Sequence, residues 1–355
     1  MRIAFVRRNW SPTGGAENYL KRLAGSLSQA GHECHLLCES WDDEARDMFR
    51  LVERFPVDSS TAMKPRRFAD AVNVRLGSVG EIGFHVVFSL ERGVRAHIYR
   101  AGDGVHREWL RRRQAARPLT GFFRNRFNPK NRVVCALERV TFHPKNTRRV
   151  IANSEMVRSD ILRHFDYPAE RIRLVRNGVD HARFGGGDRA AGRRAMEWDD
   201  EEYVVLLVGA GAERKGHVQA QEAARRAGAD VRMVIIDSPP PCPLPDLYAA
   251  ADVFLLPTWY DPFANVTLEA LAAGLPVITT TANGGSEIIQ NGREGFVVGQ
   301  AGDVRETAHL IRLLRDESLR LQMGRAARKT AATHTQERNV RETLDVIHEV
   351  ASAKG

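Results

Sequence analysis

The sequence predicts two α/β domains, each built on a doubly wound parallel sheet. Short β-rich runs alternate with helical stretches along the chain, and several of these runs are apolar throughout, as in strands buried on both faces of a parallel sheet. The alternation begins again near residue 203. A chain of 355 residues is also long for a single hydrophobic core. We therefore expect a first domain over residues 1–180 and a second over 181–336.

In both halves the predicted strands are followed by a glycine-containing loop and then by a helical stretch. Between the halves, Phe184–Asp188 contains three consecutive glycines and predicts a flexible connection. Apolar residues at helical spacing predict a last helix over Glu337–Ala351 with one buried face. The predicted strands are Ile3–Val6, His35–Cys38, Val86–Ser89, Val150–Ala152, Val204–Val208, Met233–Ile236, Val253–Leu256, Val277–Thr280 and Phe296–Val298.

Composition limits the class of protein. An apolar fraction of 43% is that of a globular protein, and no window reaches the roughly 18 apolar residues needed to cross a bilayer. The N-terminus becomes charged too early for an export signal, and the four cysteines have no metal-binding spacing, so we expect a reduced cytoplasmic protein. A net charge of +9 predicts an acidic partner, for which nucleotide diphosphates, anionic lipids and nucleic acid all qualify.

The first strand leads into a glycine-containing turn. Gly14 and Gly15 follow strand Ile3–Val6 and precede an amphipathic helical run. Glycines at such a turn let the backbone approach a ligand closely, and the helix N-terminus favours an anion. A merely tight turn explains the pair equally well.

The second half opens with a comparable turn. Val204–Val208 is followed by two glycines and then by Arg214 and Lys215. An arginine stands where a dinucleotide-binding fingerprint needs its third glycine, and the spacing of a Walker loop is absent. Two cations at this place are suited to clamping a diphosphate leaving group. No Asp-x-Asp pair occurs in the chain, which argues against a divalent cation. The alternative is a solvated Arg–Lys pair.

The most informative stretch carries two carboxylates. Asp261 follows strand Val253–Leu256, and Glu269 lies about a turn and a half into a helix predicted to begin near Phe263–Asn265. Free amides at that helix N-terminus, around Ala264 and Val266, can meet phosphate or sugar oxygens. Glu269 can accept hydrogen bonds from two vicinal hydroxyls, such as those of a ribose. The alternative makes Asp261 a helix cap and Glu269 an exposed helix residue.

These motifs resemble those of the retaining GT-B glycosyltransferases of family 4. Asp261 and Glu269 stand eight positions apart in an acidic-Pro-Phe-x-x-x-x-x-Glu-Ala pattern that normally has Glu at both ends. The resemblance covers most of the chain in the right order, and Tyr99–His106 is similar to lipopolysaccharide-core glucosyltransferases. It also takes in Gly14–Glu17, Ile151–Ser154, Asn177–Asp180, Ala273–Ile278 and Gly284–Ile289.

The resemblance implies a GT-B fold, with two Rossmann-like domains facing a central cleft. The first domain would bind the acceptor and be completed by the C-terminal helix, residues 337–355, while the second would bind the nucleotide-sugar donor. The implied reaction moves a hexose, glucose by the same likeness, from a UDP-linked donor with retention at the anomeric carbon. In this family the leaving phosphate itself helps to deprotonate the acceptor, so no protein base of finely tuned pKa is required. We expect no cofactor beyond the nucleotide-sugar substrate and no metal.

The resemblance also implies individual roles. Asp261 would contact the transferred sugar, Glu269 would bind the ribose, and Asp103 would lie near the acceptor hydroxyl, with His106 a weaker acceptor-site candidate. The donor site would be formed by Gly14, Gly15, Arg214, Lys215, Phe263, Ala264, Asn265, Val266, Glu269, Gly284 and Gly285.

Two departures from the family pattern lie in the second domain. Asp261 replaces the usual Glu and shortens the reach by one methylene group. The proline-rich connector Asp237–Pro245 stands where the family has a helix and another strand, so we expect a shortened C-terminal sheet and an incomplete nucleobase pocket.

A basic stretch follows the acceptor motif. Residues 107–132 contain nine Arg or Lys against one acid, with aromatic residues interleaved. This mixture is typical of an anionic membrane interface and equally of nucleic-acid binding, whereas many such runs are only solvated faces. Its place in the acceptor domain favours a lipid-linked acceptor and no nucleic acid. The residues assigned to acceptor or membrane are His106, Arg111, Arg112, Arg113, Phe122, Phe123, Arg124 and Arg126.

The resulting hypothesis is a metal-independent transferase of lipopolysaccharide-core or related surface-glycan biosynthesis, peripheral on the inner face of the cytoplasmic membrane. Two alternatives remain open at this stage. A nucleotide-sugar 2-epimerase shares the architecture but needs carboxylates and histidines grouped around the sugar. A weakly active or non-catalytic relative that binds anionic surfaces would account for Asp261 and the short connector.

Overall fold

The computed structural model describes residues 1–10, 15–41, 48–77 and 83–353, without the side chains of residues 118–120, 122 and 124. It divides into two compact units: residues 1–175 together with 340–355, and residues 176–339. Each unit is a parallel sheet with helices packed on it. This confirms the predicted α/β class and the doubly wound architecture.

The first unit has a seven-stranded parallel sheet in the order β3-β2-β1-β4-β5-β6-β7. The strand order changes direction at β1, because β2 and β3 lie on one side of it and β4 to β7 on the other. β1 and β4 therefore form the switch point at which ligands bind in open α/β sheets. Its strands are β1 (Arg2–Val6), β2 (Glu33–Cys38), β3 (Leu51–Arg54), β4 (Val86–Ser89), β5 (Ala96–Arg100), β6 (Thr147–Ala152) and β7 (Ile172–Leu174). Its helices are α1 (Gly15–Gln29), α2 (Lys64–Leu76), α3 (His106–Ala116), α4 (Pro118–Phe127), α5 (Pro129–Thr141), α6 (Glu155–His164) and, from the C-terminus, α15 (Gln336–Ser352).

The C-terminal helix packs into the core of the first unit. Val346, Ile347 and Val350 are buried in one cluster with Ile3 and Phe5 of β1. Glu349 also pairs with Arg149 at 2.8 Å and Arg173 at 2.7 Å, on β6 and β7. Apolar burial and ion pairs both hold this helix on the first sheet.

The second unit has a five-stranded parallel sheet in the order β12-β11-β10-β8-β9. Its core is formed by the central strands and the small residues of the helices that cover them. Its strands are β8 (Tyr203–Val208), β9 (Val231–Ile236), β10 (Val253–Leu256), β11 (Val277–Thr280) and β12 (Gly295–Val298). Its helices are α7 (His181–Gly185), α8 (Arg189–Ala195), α9 (Ala212–Lys215), α10 (His217–Ala227), α11 (Leu244–Ala250), α12 (Asn265–Ala273), α13 (Val304–Leu313) and α14 (Glu317–Ala332).

All nine predicted strands are present, and three further strands were missed. The missed strands β3, β5 and β7 are short and carry charged or polar residues, so they lack the apolar run that indicates a buried strand. The connector expected to shorten the second sheet does so, because the chain runs from β9 to α11 without an intervening helix or strand. As a result β9 is an edge strand that pairs only with β8.

The prediction that Phe184–Asp188 lies between the two halves is wrong. Phe184 and Gly185 belong to α7, and the whole stretch lies within the second unit. Gly187 packs directly against the carbonyl oxygen of Pro245 in α11, where a side chain would collide with the backbone. Gly187 therefore serves the close packing of this stretch on α11. Within the described residues, no helix has both the length and the apolar character needed to span a membrane.

Candidate active site

Lys215 and Asp261 form a buried ion pair in the second unit. Their Nζ and Oδ2 atoms are 3.0 Å apart, and the two side chains are only 10% and 8% exposed. Lys215 ends α9, and Gly216 follows with φ 78°, packed so tightly on the Pro257 carbonyl that a side chain has no room. The structure therefore joins two features that the sequence could treat only separately.

Backbone hydrogen bonds fix both loops of this pair. The Thr258 hydroxyl and the Trp259 amide donate to the carbonyl of Arg214, at 2.7 and 2.9 Å. The Asp261 amide donates to Ala282, and the Asp261 carbonyl accepts from the Gly284 amide, both at 2.8 Å. Asp261 is thus held on both sides, and its position does not depend on the ion pair alone.

The pair leaves hydrogen-bonding capacity for a ligand. A lysine ammonium has three donors, of which Asp261 takes one, and the carboxylate keeps acceptor sites of its own. A cation and an anion held together at the carboxyl ends of β8 and β10 can bind phosphate oxygens and sugar hydroxyls side by side. Arg214 is half-buried, and its guanidinium forms no ion pair or hydrogen bond within the described part of the chain.

Glu269 lies half-buried on α12, so the alternative of an exposed helix residue is wrong. The hydroxyl of Tyr248, on α11, donates to Glu269 Oε2 at 2.8 Å. Burial raises the pKa of Glu269, an effect that the Tyr248 hydrogen bond and the charges of Arg183 and Lys215 oppose. Among the described residues, Oε1 has no hydrogen-bond partner.

Asn283 organises the N-terminus of α12. Its side-chain oxygen accepts from the amides of Ala264 at 3.2 Å and Gly285 at 2.9 Å. Its amide group donates to Thr267 at 2.9 Å and Thr279 at 3.1 Å. Asn283 is fully buried and its hydrogen bonds are satisfied, so it is a positioning residue for the loop that carries Gly284 and Gly285.

The other predicted donor residues surround the start of α12. Phe263 and Ala264 are buried, and Gly284 and Gly285 are buried in a short 3₁₀ turn over Gly284–Ile288. Asn265 begins α12, and its side-chain oxygen accepts from Asn177 at 2.6 Å. Val266 follows in the first turn, where helix amides have no intrahelical acceptor.

Sequence reasoning missed Tyr248, Asn177 and Asn283. No spacing rule singles out a tyrosine on α11, because its contact with Glu269 depends on how two helices pack. Asn283 had a weak signal, since an asparagine directly before two glycines is typical of a turn. Asn177 lies in a stretch covered by the family resemblance, but its bond to Asn265 is visible only in the fold.

In the first unit, Asp103 follows β5, and 65% of its side chain is exposed. Its carboxylate is 3.6 Å from the guanidinium of Arg92. It lines a cavity of about 270 Å³ together with Arg7, Arg8 and Glu91, which follow β1 and β4. Gly15 is the first residue of α1, whereas Gly14 lies outside the described residues.

The three arginines that line this cavity, Arg7, Arg8 and Arg92, are paired with acids. Arg7 contacts Glu17 at 2.9 Å and Glu91 at 3.0 Å, and Arg8 contacts Glu39 at 3.1 Å. Burial raises the pKa of Glu91, while Arg7 opposes that shift. Paired charges of both signs offer donors and acceptors without a strong net field, which suits a ligand rich in hydroxyl groups.

His106 lies at the start of α3 and forms a hydrogen bond within the first unit. Its Nε2 atom is 3.0 Å from Asn131 Oδ1, at the start of α3. Burial, reinforced by the charge of Arg92, lowers its pKa to about 4, so the imidazole is neutral at pH 7. A neutral, hydrogen-bonded imidazole of this kind is typical of a structural histidine.

Three of the predicted membrane arginines are committed to contacts within the unit. Arg111 and Arg112 pair with the fully buried Glu108, at 2.6 and 2.8 Å. Burial of Glu108 favours its neutral form, but hydrogen bonds from Arg111, His164 and Arg112 outweigh that effect and lower its pKa to about 2. Arg113 donates to Asn125 on α4.

The remaining residues of the basic stretch are more accessible. Phe123 and Phe127 are 57% and 72% exposed, and their rings stack with centroids 6.1 Å apart. Arg126 is exposed on the same helix. Phe122 and Arg124 belong to α4, but their side chains lie outside the described atoms. In the described part of the chain, no group of three or more His, Cys, Asp or Glu side chains is arranged to hold a metal ion.

Two family models match the chain. One described as "Glycosyltransferase Family 4" matches residues 13–183, and one described as "Glycosyl transferases group 1" matches residues 189–316. The first range contains Glu91 and Asp103, and the second contains Lys215, Asp261 and Glu269.

Individual relatives agree with these models. The lipopolysaccharide glucosyltransferase WaaG of Escherichia coli K12 is 22% identical over 94% of this chain and 95% of that protein. The D-inositol 3-phosphate glycosyltransferase of Salinispora tropica is 28% identical over 58% of this chain, and the match spans about half (51%) of that relative's length.

Solved structures agree in fold. The crystal structure of WaaG has a TM-score of 0.81 at 22% identity, covering 97% of this chain and 99% of that one. The HepE protein of Anabaena, crystallised with UDP-glucose, has a TM-score of 0.67 at 16% identity, covering 99% and 100%. At these identities the likeness establishes the GT-B fold.

Proposed function

The chain belongs to the family 4 glycosyltransferases, and from that premise we propose that it transfers glucose from UDP-glucose to a lipopolysaccharide-core or related surface glycan, with retention at the anomeric carbon. The observation that carries this proposal is the buried Lys215–Asp261 pair beside the N-terminus of α12. The likeness of the chain to WaaG over nearly its whole length supports the acceptor class. The UDP-glucose complex of HepE supports the donor.

In this proposal Lys215 stabilises the charge that develops on the leaving diphosphate. A fixed ammonium group with little exposure to water is worth more there than in bulk solvent. Asp261 holds the ammonium in place and accepts a hydrogen bond from a hydroxyl of the transferred sugar. Glu269 accepts hydrogen bonds from the ribose hydroxyls through Oε1, while Tyr248 donates to Oε2 and orients the carboxylate.

The direct test combines donor and acceptor screens. UDP-glucose, UDP-galactose and GDP-mannose are offered with a truncated lipopolysaccharide core or with inositol 3-phosphate, and transfer is measured together with the anomeric configuration of the product. We expect transfer from UDP-glucose to the truncated core with an α-linked product. Calorimetry that shows no binding of any nucleoside diphosphate would contradict the proposal.

We expect chelation to have little effect on transfer. Lys215 supplies a positive charge at the proposed diphosphate site, so a divalent cation is not required there. Initial rates measured in about 5 mM EDTA should match those measured with added Mg²⁺. Strong inhibition that Mg²⁺ reverses would show that a metal carries the diphosphate charge.

Replacing Asp103 with asparagine should impair the reaction of the acceptor without affecting donor binding. The carboxylate lies in the first unit and is mostly exposed, so its loss should not disturb the fold or donor binding. We expect transfer to fall on the order of a hundredfold, as for loss of a carboxylate that orients the reacting hydroxyl, with an unchanged UDP affinity. Undiminished transfer would remove Asp103 from the acceptor site.

We also propose that the enzyme acts at the inner face of the cytoplasmic membrane. The stacked and exposed Phe123–Phe127 pair, with Arg126 beside it, supports this placement, because rings and cations on one helix suit an anionic interface. Co-sedimentation with anionic vesicles of wild type and of a Phe123→Ser/Phe127→Ser variant tests it. Equal sedimentation of both proteins would be the contrary result.

A further inference from the structure

A second cavity lies in the first unit, lined partly by the basic stretch (residues 107–132) and not by Asp103. Its volume is about 630 Å³, within the range of roughly 300–1,000 Å³ usual for small-molecule sites. Met63 and Arg66 line it at the start of α2, one residue each from α3 and α4 contributes, and α5 supplies the rest of the wall. None of the roles assigned above uses this cavity.

The walls combine an apolar surface with positive charge. Met63, Leu110, Val133 and Ala136 supply apolar surface. Arg66, Arg132 and Arg139 also line the cavity, and no carboxylate does. A site of this composition matches a ligand that has both a hydrocarbon part and an acidic group.

The arginines of this cavity are not neutralised in the way their neighbours are. Arg132 and Arg139 are exposed and form no ion pair or hydrogen bond within the described residues. Arg66 is 3.7 Å from Asp70, but both side chains are more than half exposed, so this pair is weak. In contrast, Arg111 and Arg112 are bound to the buried Glu108.

Helix α5 places its part of the site on one face. Arg132, Ala136 and Arg139 are separated by four and three positions, the spacing that brings helical side chains together on one side. The small Ala136 lies between the two cations, where a larger side chain would fill space in the cavity. Charge and room for an apolar chain therefore come from the same face of one helix.

We propose that this cavity binds one anionic lipid, with the acyl chain against Met63, Leu110, Val133 and Ala136 and the acidic headgroup at Arg132 and Arg139. A free phosphate would use only the arginines, and a neutral lipid would use only the apolar wall. The complementarity of charge and of apolar surface thus favours a ligand that carries both. The proposal goes beyond the proposed function, because this binding requires neither a sugar donor nor transfer.

Calorimetry with three matched probes tests the ligand class. Monoacylglycerol phosphate, below its critical micelle concentration, carries both the chain and the charge. Monoacylglycerol carries only the chain, and glycerol phosphate only the charge. We expect one molecule of the first to bind per chain and each of the others to bind at least about tenfold more weakly. Equal affinity for glycerol phosphate, or stronger binding of a single-stranded oligonucleotide, would overturn the lipid assignment.

Two variants and a control locate the site. Arg132→Gln/Arg139→Gln removes exposed cations and should weaken binding about tenfold or more, and Ala136→Trp should abolish the gain from the acyl chain. The control, Arg67→Gln/Arg95→Gln, removes the same charge from exposed residues that do not line the cavity and should bind like wild type. An equal loss of lipid affinity in the control would show that binding depends only on the net charge of the protein.

A second readout does not depend on affinity. Cys135 lines the cavity and is half-buried, so a bound lipid should slow its alkylation by maleimide. Monoacylglycerol phosphate should protect Cys135 in wild type but not in the Ala136→Trp variant, with Cys242 alkylated at the same rate throughout. Unprotected Cys135 at a saturating lipid concentration would place the lipid elsewhere.

Discussion

Replacing Lys215 with methionine should abolish sugar transfer, and replacing Asp261 with asparagine should do the same. Each change removes one partner of an ion pair with a 3.0 Å separation and little exposure. Loss of a group that stabilises charge in the transition state costs on the order of a hundredfold to a thousandfold in kcat. We expect both variants to fall by at least that factor in UDP-glucose assays.

The same variants should differ from their combination in stability. Removing one partner of a buried pair leaves an uncompensated charge, at a cost of about 3 kcal/mol, whereas removing both is often neutral. The double variant Lys215→Met/Asp261→Asn should therefore regain most of the stability that each single variant loses in urea unfolding. It should still transfer no sugar, because both proposed contacts with the donor are absent.

A second ion pair in the same unit provides the control. Arg193 and Asp252 are 3.0 Å apart and 2% and 7% exposed, so they are buried at least as well as Lys215 and Asp261. Arg193→Met should lower stability comparably or more, since Arg193 also donates to backbone carbonyls. Its folded fraction should keep the wild-type kcat. If Arg193→Met loses transfer as completely as Lys215→Met, the role of Lys215 is structural.

The sequence could predict much of this site because its parts follow a local pattern. Apolar runs identified the strands, and the positions directly after β8 and β10 identified Lys215 and Asp261 as candidates. The family resemblance then implied that these positions bind a nucleotide-sugar donor. The pairing of Lys215 with Asp261 was not predictable, because it depends on the register of β8 and β10 and on the close fit of Gly216 against Pro257.

Counting charges proved the weakest guide. Nine cations in the basic stretch favoured an anionic membrane interface, but a single buried acid, Glu108, binds Arg111 and Arg112 and also contacts His164. By contrast Arg132, at the end of the stretch, and Arg139 beyond it are exposed on α5 and line a cavity. Composition gives the number of charges, whereas their availability depends on which helices pack around an acid.

Replacing Glu269 with glutamine should remove the preference of the enzyme for a ribose. Wild type should bind UDP more tightly than 2′-deoxy-UDP by about 2 kcal/mol, or on the order of thirtyfold, the usual contribution of a hydrogen bond to a charged group. The glutamine variant keeps the size of the side chain and an acceptor for Tyr248 but loses the charge. Calorimetry should show similar affinities of the variant for the two nucleotides.

The pH dependence of this preference follows from the raised pKa of Glu269. Burial favours the neutral carboxyl, so the carboxylate that accepts ribose hydroxyls is lost as the pH falls through a value above the ordinary 4.5. The preference for UDP should therefore decline in wild type as the solution is acidified and stay flat in Glu269→Gln. A wild-type preference that is unchanged at acidic pH would show that Glu269 does not contact the ribose.

Stability should change in the opposite direction from affinity. Because its pKa is raised in the folded state, the Glu269 carboxyl contributes stability that is fully present below its ordinary pKa and is lost as the pH rises through the folded value. Glu269→Gln avoids that loss, so at pH 7 it should unfold at a higher urea concentration than wild type, with no gain near pH 4. A variant that loses ribose preference and also loses stability at pH 7 would indicate a disrupted α12. A variant that loses ribose preference while gaining stability identifies Glu269 as a ligand-binding residue held at a cost to the fold.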